Sequence, residues 1–222
     1  MSYKSIPCSN KILLLFILLL ALGCGSNEDM VDNTNGDNQT LSKNNVLLII
    51  ADDLGLDSTV GYNIGNQKPS MPTIQKLINA GIKFNNVWSN PVCTPTRGTI
   101  LTGKYGYGTS VLKVDDVLST SEISIFKNLK NNTNYNSAFI GKWHLSGKPS
   151  DRNHPNNMGI DYYAGILGGG VSDYFNWTLS KNGQNSNVNQ YITSVFTDEA
   201  INWITSQNLS LIHISEPTRL SV

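Results

Sequence analysis

The chain has 222 residues with 16 basic and 16 acidic side chains, so its formal net charge at pH 7 is zero. A neutral chain lacks the basic surface on which nucleic-acid binding depends, and we expect no nucleic-acid partner. If residues 1–44 are set aside as N-terminal segments, the remaining length corresponds to one domain or to part of one.

Residues 1–23 have the pattern of an export signal. Two lysines precede an apolar run at residues 12–22 that is too short to cross a bilayer. The run ends in small residues before Cys24, which resembles a bacterial lipoprotein signal. We therefore expect an exported protein that is held at a membrane by lipid on Cys24; an ordinary signal peptide with an incidental cysteine is the alternative. Residues 24–44 are polar and predict a flexible tether.

The elements predicted after the tether alternate between strands and helices, which indicates an α/β fold with a mostly parallel central sheet flanked by helices. The apolar run at residues 45–51 is typical of a strand buried on both faces. In chain order the other expected elements are a helix from Pro72 to Gly81, a strand at 82–88, a helix after Cys93, a helix capped by Ser121, a strand at 137–143 and a helix with an apolar stripe from Ile192 to Ile204.

A thiol, a proline and an arginine open the predicted helix after the second strand. Pro95 suits a first helical turn, and the helix N-terminus favours an anion at Cys93. Arg97 adds a planar donor fork that suits a sulfate or phosphate oxyanion. The alternative interpretation is a buried structural cysteine near a surface arginine.

Two more motifs follow predicted strands, at the edge where open α/β sheets bind ligands. Asp52 and Asp53 supply hard oxygen ligands that suit Ca²⁺ or Mg²⁺, although such a pair also forms caps and turns. Lys142 and His144 are two residues apart, so on an extended chain both point to one side. A cation and an imidazole together suit an anionic ester, whereas a solvated strand end is the alternative.

Together these motifs resemble those of the sulfatase family, which has Cys-x-Pro-x-Arg before Leu-Thr-Gly, Asp-Asp-x-Gly and Gly-Lys-Trp-His. Thr96 stands where the family more often has Ser. The resemblance covers residues 45 to about 204 and implies an alkaline-phosphatase-like fold. It identifies residues 45–208 as the N-terminal part of a catalytic domain that hydrolyses the sulfate ester of a small molecule or glycan.

The resemblance also implies the chemistry of the site. A maturation enzyme oxidises Cys93 to formylglycine; one hydroxyl of the hydrated aldehyde, activated at the metal, attacks sulfur, and the alcohol leaves. His144 then deprotonates the second hydroxyl, which expels sulfate and restores the aldehyde. Lys142 binds sulfate oxygens, and Arg97 fixes the surroundings of the nucleophile. Ca²⁺, in preference to Mg²⁺, is held by Asp52, Asp53 and the modified Cys93. The cysteine count agrees with a modified Cys93. If Cys8 is removed with the signal and Cys24 carries lipid, Cys93 has no disulfide partner left within the exported chain.

Two features of the C-terminal part carry expectations of their own. The family completes its metal site with a later Asp/Asn pair and places a further His and Lys around the sulfate, none of which is recognisable before residue 208. We therefore expect a chain truncated before its C-terminal part and inactive as given. Residues 209–222 resemble a translated sequencing adapter and are expected to be non-native.

Other motifs receive no catalytic role. His154 lies in an Asn- and Pro-rich loop and is interpreted as solvated, while Asp161 and the glycines at 168–170 are interpreted as scaffold. Two alternative functions remain open. One is a phosphodiesterase or phosphonate hydrolase on the same scaffold. The other is a surface glycan-binding lipoprotein without catalysis.

Overall fold

The computed structural model describes residues 44–207. The predicted signal, the lipid site at Cys24 and the adapter-like tail lie outside the described residues. The chain divides into two units at Ile49 and Ile50, and the elements below all belong to the second unit.

The described chain contains six helices and four strands, and its first two strands are parallel and joined through a short helix, which confirms the α/β class. None of these helices has the length and apolar character needed to cross a bilayer. In chain order the elements are α1 (Pro72–Ala80), α2 (Cys93–Thr102), α3 (Gly106–Thr109), α4 (Ile125–Asn132), β1 (Ala138–Lys142), α5 (His154–Asn157), β2 (Tyr162–Ile166), β3 (Trp177–Lys181), β4 (Gln184–Val188) and α6 (Ile192–Ser206).

The four strands form one mixed sheet in the order β1-β2-β3-β4. Strands β1 and β2 are parallel, with Ala138 opposite Tyr162 and Lys142 opposite Ile166. The β2–β3 and β3–β4 pairs are antiparallel. Among the described residues the sheet is therefore mixed rather than mostly parallel. The carboxyl ends of β1 and β2 lie side by side. Lys142 is the last residue of β1, and the loops after the two strands carry His144 and the glycines at 168–170.

Two predicted strands are wrong within the described chain. Residues 45–51 and 82–88 form no strand, and their apolar side chains are exposed, as Val46 (85%) and Trp88 (93%) illustrate. The reason is that a strand requires a neighbouring strand for its backbone hydrogen bonds, and neither run has one among these residues. Apolar composition alone therefore does not produce a strand here.

All four predicted helices form, with one change of boundary. Helix α1 runs from Pro72 to the residue before Gly81, as expected. Helix α4 begins later than predicted, because Ser124 rather than Ser121 is its N-cap: the Ser124 hydroxyl accepts a 3.1 Å hydrogen bond from the Lys127 amide. Helix α6 is confirmed, and its buried residue Ile192 packs in a cluster with β2 and β3.

The core consists of two clusters on opposite faces of β2. Tyr163 belongs to the first cluster, whereas Ala164 and Ile166 belong to the second. This follows from the two-residue alternation of a strand, and it shows that both faces are covered. Trp143, directly after β1, is fully buried in the first cluster with Leu118 and Leu145. The segment that carries Lys142 and His144 is thereby anchored in the core.

His154 is part of this core, so its interpretation as a solvated residue is wrong. Its side chain is 2% exposed. Its Nε2 donates to the Leu118 carbonyl at 2.7 Å, and its Nδ1 accepts from the Trp143 indole at 3.1 Å. If Nδ1 were protonated, its N–H would face the indole N–H of Trp143, and two donors would oppose each other. Burial accordingly lowers the pKa of His154 from its ordinary value of 6.5.

We expect His154 to make the fold sensitive to mild acid. Because its folded pKa lies below its unfolded pKa, the unfolded chain binds the proton first as the pH falls below about 6.5. The free energy of unfolding then decreases by up to about 1.4 kcal/mol per pH unit until the folded pKa is reached. Denaturant titrations of the wild-type protein and of His154→Gln between pH 7.5 and pH 5 measure the free energy of unfolding. We expect this free energy to depend less on pH in the variant. Equal pH dependence in both proteins would contradict it.

Candidate active site

Helix α2 begins at Cys93, as predicted, and places the thiol at a helix N-terminus. Val92 is the N-cap, and Pro95 lies in the first turn, where its missing N–H costs no intrahelical bond. The helix ends at Gly103, whose φ of 67° is left-handed and whose N–H donates to the Thr99 carbonyl at 2.8 Å. This conformation favours glycine, which explains the last residue of the motif.

The thiol of Cys93 contacts the imidazole of His144. The Sγ atom lies 3.2 Å from Nδ1. Cys93 is half-buried and has a free thiol, while His144 is 5% exposed. The other imidazole nitrogen, Nε2, lies 2.9 Å from Oδ1 of Asp115, whose Oδ2 lies 2.7 Å from Nζ of Lys148. A thiol, an imidazole and a carboxylate therefore lie in one row, which is the order of a nucleophile, a base and a group that orients the base.

Asp115 and Lys148 were not singled out from the sequence. The Asp115 amide donates to the Thr94 hydroxyl at 3.3 Å, which fixes the Asp115 turn against the first turn of α2. The hydrogen bond from Lys148, and after it the contact with His144, lowers the pKa of the Asp115 carboxyl below its ordinary value. Asp115 is thus a carboxylate at neutral pH. The only available sequence signal was its place in a second Asp-Asp pair, which by itself is typical of a turn.

A second group of side chains brings two cations onto one carboxylate. Oδ2 of Asp52 lies 2.6 Å from Nζ of Lys142 and 3.5 Å from Nη2 of Arg97. Arg97 also donates through Nη1 to the main-chain carbonyl of Lys142. Its side chain is 7% exposed, so the guanidinium has a fixed position. Burial opposes ionisation of Asp52, but the hydrogen bond from Lys142 and the charge of Arg97 bring its pKa below the ordinary value.

Strand alternation does not account for the placement of Lys142 and His144. Strand β1 ends at Lys142, and His144 has a φ of 57°, which interrupts the extended chain. The segment is held by β2 instead, because the Trp143 amide donates to the Ile166 carbonyl at 2.9 Å and the His144 amide donates to the Leu167 carbonyl at 3.0 Å. Lys142 pairs with Asp52, whereas His144 contacts Cys93.

Left-handed backbone is concentrated at this site. Five non-glycine residues in the described chain have positive φ, and three of them are Asp53 (56°), Asp115 (66°) and His144 (57°). Each such residue costs on the order of 1 kcal/mol or more. Strain of this kind persists where the surrounding structure fixes it, and its clustering is a mark of functional sites.

Gly169 is a further residue that sequence reasoning assigned only to scaffold. A Cβ atom at this position would lie 2.7 Å from Cε1 and 3.0 Å from Nε2 of His144. The main chain of the glycine loop therefore approaches the imidazole ring more closely than any side chain would permit. Asp161, by contrast, is structural as predicted: its carboxylate pairs with Lys130 and accepts hydrogen bonds from Ser137.

The donor set of the predicted calcium site is only partly assembled by the described residues. Between residues 44 and 207 no three His, Cys, Asp or Glu side chains have the spacing of a metal site. Asp53 makes no ion pair or hydrogen bond within that range, and it adjoins the Asp52 carboxylate. Two neighbouring carboxylates fit the oxygen preference of Ca²⁺, but they offer at most four of the roughly six to eight oxygens that it takes.

Comparison with known proteins identifies the family of this chain. A family model described as Sulfatase matches residues 44–214. Human steryl-sulfatase is 33% identical over 141 residues, which are 56% of this chain and 24% of the relative. N-acetylglucosamine-6-O-sulfatase of Bacteroides thetaiotaomicron is 26% identical over 177 residues, which are 78% of this chain and 30% of the relative.

A solved structure agrees with these relatives. The structure of a protein in complex with its substrate D-glucosamine-2-N,6-O-disulfate superposes with a TM-score of 0.57 at 27% identity, over 68% of this chain and 28% of that one. The chain thus spans about a quarter to a third of the length of the proteins it matches. The family model covers more than half of the chain, along with the Cys93, Asp52 and His144 motifs. The chain therefore belongs to the sulfatase family and has its alkaline-phosphatase-like fold.

Proposed function

We propose that the full-length protein hydrolyses a sulfate ester at the position of Cys93. The observation that carries this proposal is the contact between Cys93 Sγ and His144 Nδ1, 3.2 Å apart, at the N-terminus of α2. Arg97 and Lys142 come from distant parts of the sequence, and one carboxylate, that of Asp52, pairs with both cations. An acid–base group and fixed positive charges are what transfer of a sulfuryl group requires.

The reactive group is formylglycine, made from Cys93 by a maturation enzyme. The half-buried free thiol is accessible to modification, and its contact with a base suits a side chain that gains and loses protons. The modification supplies an oxygen nucleophile on a side chain that would otherwise be a thiol. His144 moves a proton at this position, and Asp115 holds the imidazole from the opposite nitrogen.

The cations bind the oxygens of the sulfate group. The Arg97 guanidinium is buried, and its contacts with Asp52 and the Lys142 carbonyl fix its direction. A donor that is already oriented loses little conformational entropy when the ester binds, so its charge acts fully on the transition state. Lys142, with its side chain 16% exposed, supplies the second charge.

Asp52 and Asp53 would hold Ca²⁺, which would supply a positive charge that favours the deprotonated form of a hydroxyl beside it. The free carboxylate of Asp53 and the hard-oxygen chemistry of the pair support this assignment. Further oxygen donors must complete the coordination shell, because the metal takes more ligands than two carboxylates provide.

The substrate is a sulfated sugar, either as a small molecule or as a unit of a glycan. This assignment is supported by the relative named N-acetylglucosamine-6-O-sulfatase and by the related structure with a disulfated glucosamine. We further propose that the protein is exported and anchored through lipid on Cys24, which would place the site where external glycans are met.

The competing function is hydrolysis of a phosphate or phosphonate ester on the same scaffold. Full-length protein, co-expressed with a maturation enzyme, is assayed with p-nitrophenyl sulfate and the matching phosphate monoester and diester. We expect kcat/KM for the sulfate to exceed the others by at least about 100-fold, or roughly 3 kcal/mol of transition-state preference. Faster phosphate turnover would replace the proposal by the competing one. Glycan binding without any turnover would support the non-catalytic alternative.

A further inference from the structure

A cavity of about 410 Å³ lies between the glycine loop and strands β3 and β4. Its volume falls within the range of roughly 300–1,000 Å³ that is usual for small-molecule sites. Its lining comprises Ile166, Leu167, Gly168, Gly170, Val171, Ser172, Asn176, Trp177, Thr178, Ser180 and Asn185.

The glycine loop joins this cavity to the active site. Gly168 and Gly170 line the cavity, while Gly169 between them lies against the His144 imidazole. Leu167 also lines the cavity, and its carbonyl accepts the hydrogen bond from the His144 amide. The glycine loop is therefore a wall shared by the cavity and the active site, with Gly168 and Gly170 lining the cavity and Gly169 against the imidazole.

The lining is uncharged, in contrast to the active site. None of its side chains is ionisable, whereas two cations and two carboxylates surround Cys93 and His144. Five of the lining side chains carry a hydroxyl or an amide, and Trp177 adds an aromatic ring. A hydroxyl-rich ring suits such a surface, whereas an extended hydrocarbon such as a sterol would leave its amides and hydroxyls unpaired.

One lining residue has an unused hydrogen-bonding group. Ser180 is 2% exposed, and its hydroxyl has no partner among the described residues. The Ser180 oxygen is buried even when the cavity is empty, so the polar contacts open to a ligand are those of the exposed side chains of Ser172, Asn176, Thr178 and Asn185. The Trp177 indole N–H is already satisfied by the Gln190 carbonyl at 2.9 Å, which leaves the ring for apolar contact.

We propose that this cavity binds the uncharged sugar ring of the substrate while the sulfate group lies against Arg97, Lys142 and His144. The proposal rests on the proposed function, since it names where the non-sulfated part of that substrate lies. The cavity then determines which sulfated molecules are turned over, and the charged residues determine only that a sulfate ester is hydrolysed.

The test blocks the cavity without touching the charged site. A Cβ at Gly168 would meet no atom within 4 Å, and its backbone is outside the left-handed range, so Gly168→Leu is compatible with the fold. Asn185→Leu removes a lining amide on β4. Gly168→Ala is the matched control, because a single methyl leaves the cavity open. Thermal unfolding of the full-length variants confirms that each is folded.

The readout is kcat/KM for N-acetylglucosamine-6-O-sulfate and for p-nitrophenyl sulfate, which has no sugar ring. We expect Gly168→Leu and Asn185→Leu to lower the value for the sugar by about tenfold or more, since a tenfold loss is about 1.4 kcal/mol, or one hydrogen bond. The value for the aryl sulfate should stay within about twofold. Unchanged turnover of the sugar by Gly168→Leu, or equal loss for both substrates, would overturn the cavity as its binding site.

A binding measurement separates this inference from the proposed function. Calorimetric titration of N-acetylglucosamine-6-O-sulfate into full-length protein requires no turnover. Binding that Gly168→Leu abolishes and Gly168→Ala retains would support the cavity even if neither ester were hydrolysed. Binding that both variants retain would overturn it even if the protein is an active sulfatase.

Discussion

We expect replacement of Cys93 by alanine to lower sulfate ester hydrolysis by the full-length protein by about three orders of magnitude or more. Loss of the group that forms the covalent bond in nucleophilic catalysis typically has an effect of this size. The fold should remain intact, because Cys93 is half-buried and the hydrogen-bond partner of its thiol is His144. Initial rates with p-nitrophenyl sulfate, together with the thermal unfolding midpoint, measure both effects.

Thr96→Ser is the matched control for this substitution. The Thr96 hydroxyl lies 2.9 Å from the carbonyl of Val92, the N-cap of the helix, and 3.2 Å from the carbonyl of Asn90 before it, so one proton is shared between them. A serine hydroxyl preserves this arrangement. We expect this variant to retain activity within about threefold, since it removes only a methyl group. An alanine variant at Cys93 that keeps most of the wild-type activity would show that hydrolysis does not proceed through residue 93.

We expect replacement of His144 by glutamine to lower kcat by about 100-fold to 10,000-fold. Glutamine retains a polar group of similar reach, but it cannot exchange a proton near neutral pH, and general acid–base catalysis contributes about this factor.

Asp115→Asn should have a smaller effect of about tenfold on kcat with little change in KM, because Asp115 orients the imidazole through Nε2 and contacts no substrate. Steady-state kinetics on the full-length variants give both values.

Lys148→Met serves as the control for the row of side chains behind His144. Lys148 contacts the far oxygen of Asp115, and its side chain is 71% exposed, so solvent screens its charge. We expect its loss to change kcat by no more than about threefold. If His144→Gln were as active as Lys148→Met, the role of His144 in proton transfer would be refuted.

The parts of the fold that local sequence patterns specify were predictable. Helix α2 has a proline in its first turn and a glycine at its left-handed end, and α6 has its apolar residues at helical spacing. These signals lie within a few residues of one another, so no tertiary information is needed. The runs at 45–51 and 82–88 have the composition of strands, but a strand also depends on a distant partner that its own sequence does not identify.

The candidate site shows the same division between local and distant information. Cys93, Arg97, Lys142 and His144 were found through motif resemblance, and each lies in a contact that the motif alone does not reveal. Asp115 meets His144 across 29 residues of sequence, and no periodicity marks it. The burial of His154 likewise depends on Trp143 and Leu118, because a polar loop sequence gives no indication that one of its side chains enters the core.

The chemical state of residue 93 tests the central claim most directly. Full-length protein produced with a maturation enzyme is digested, and the peptide that contains residue 93 is analysed by intact mass and with an aldehyde-reactive probe. We expect a mass about 18 Da below that of the cysteine peptide, because an aldehyde oxygen replaces the thiol, together with labelling by the probe. An unmodified cysteine peptide from protein that hydrolyses sulfate esters would contradict the account.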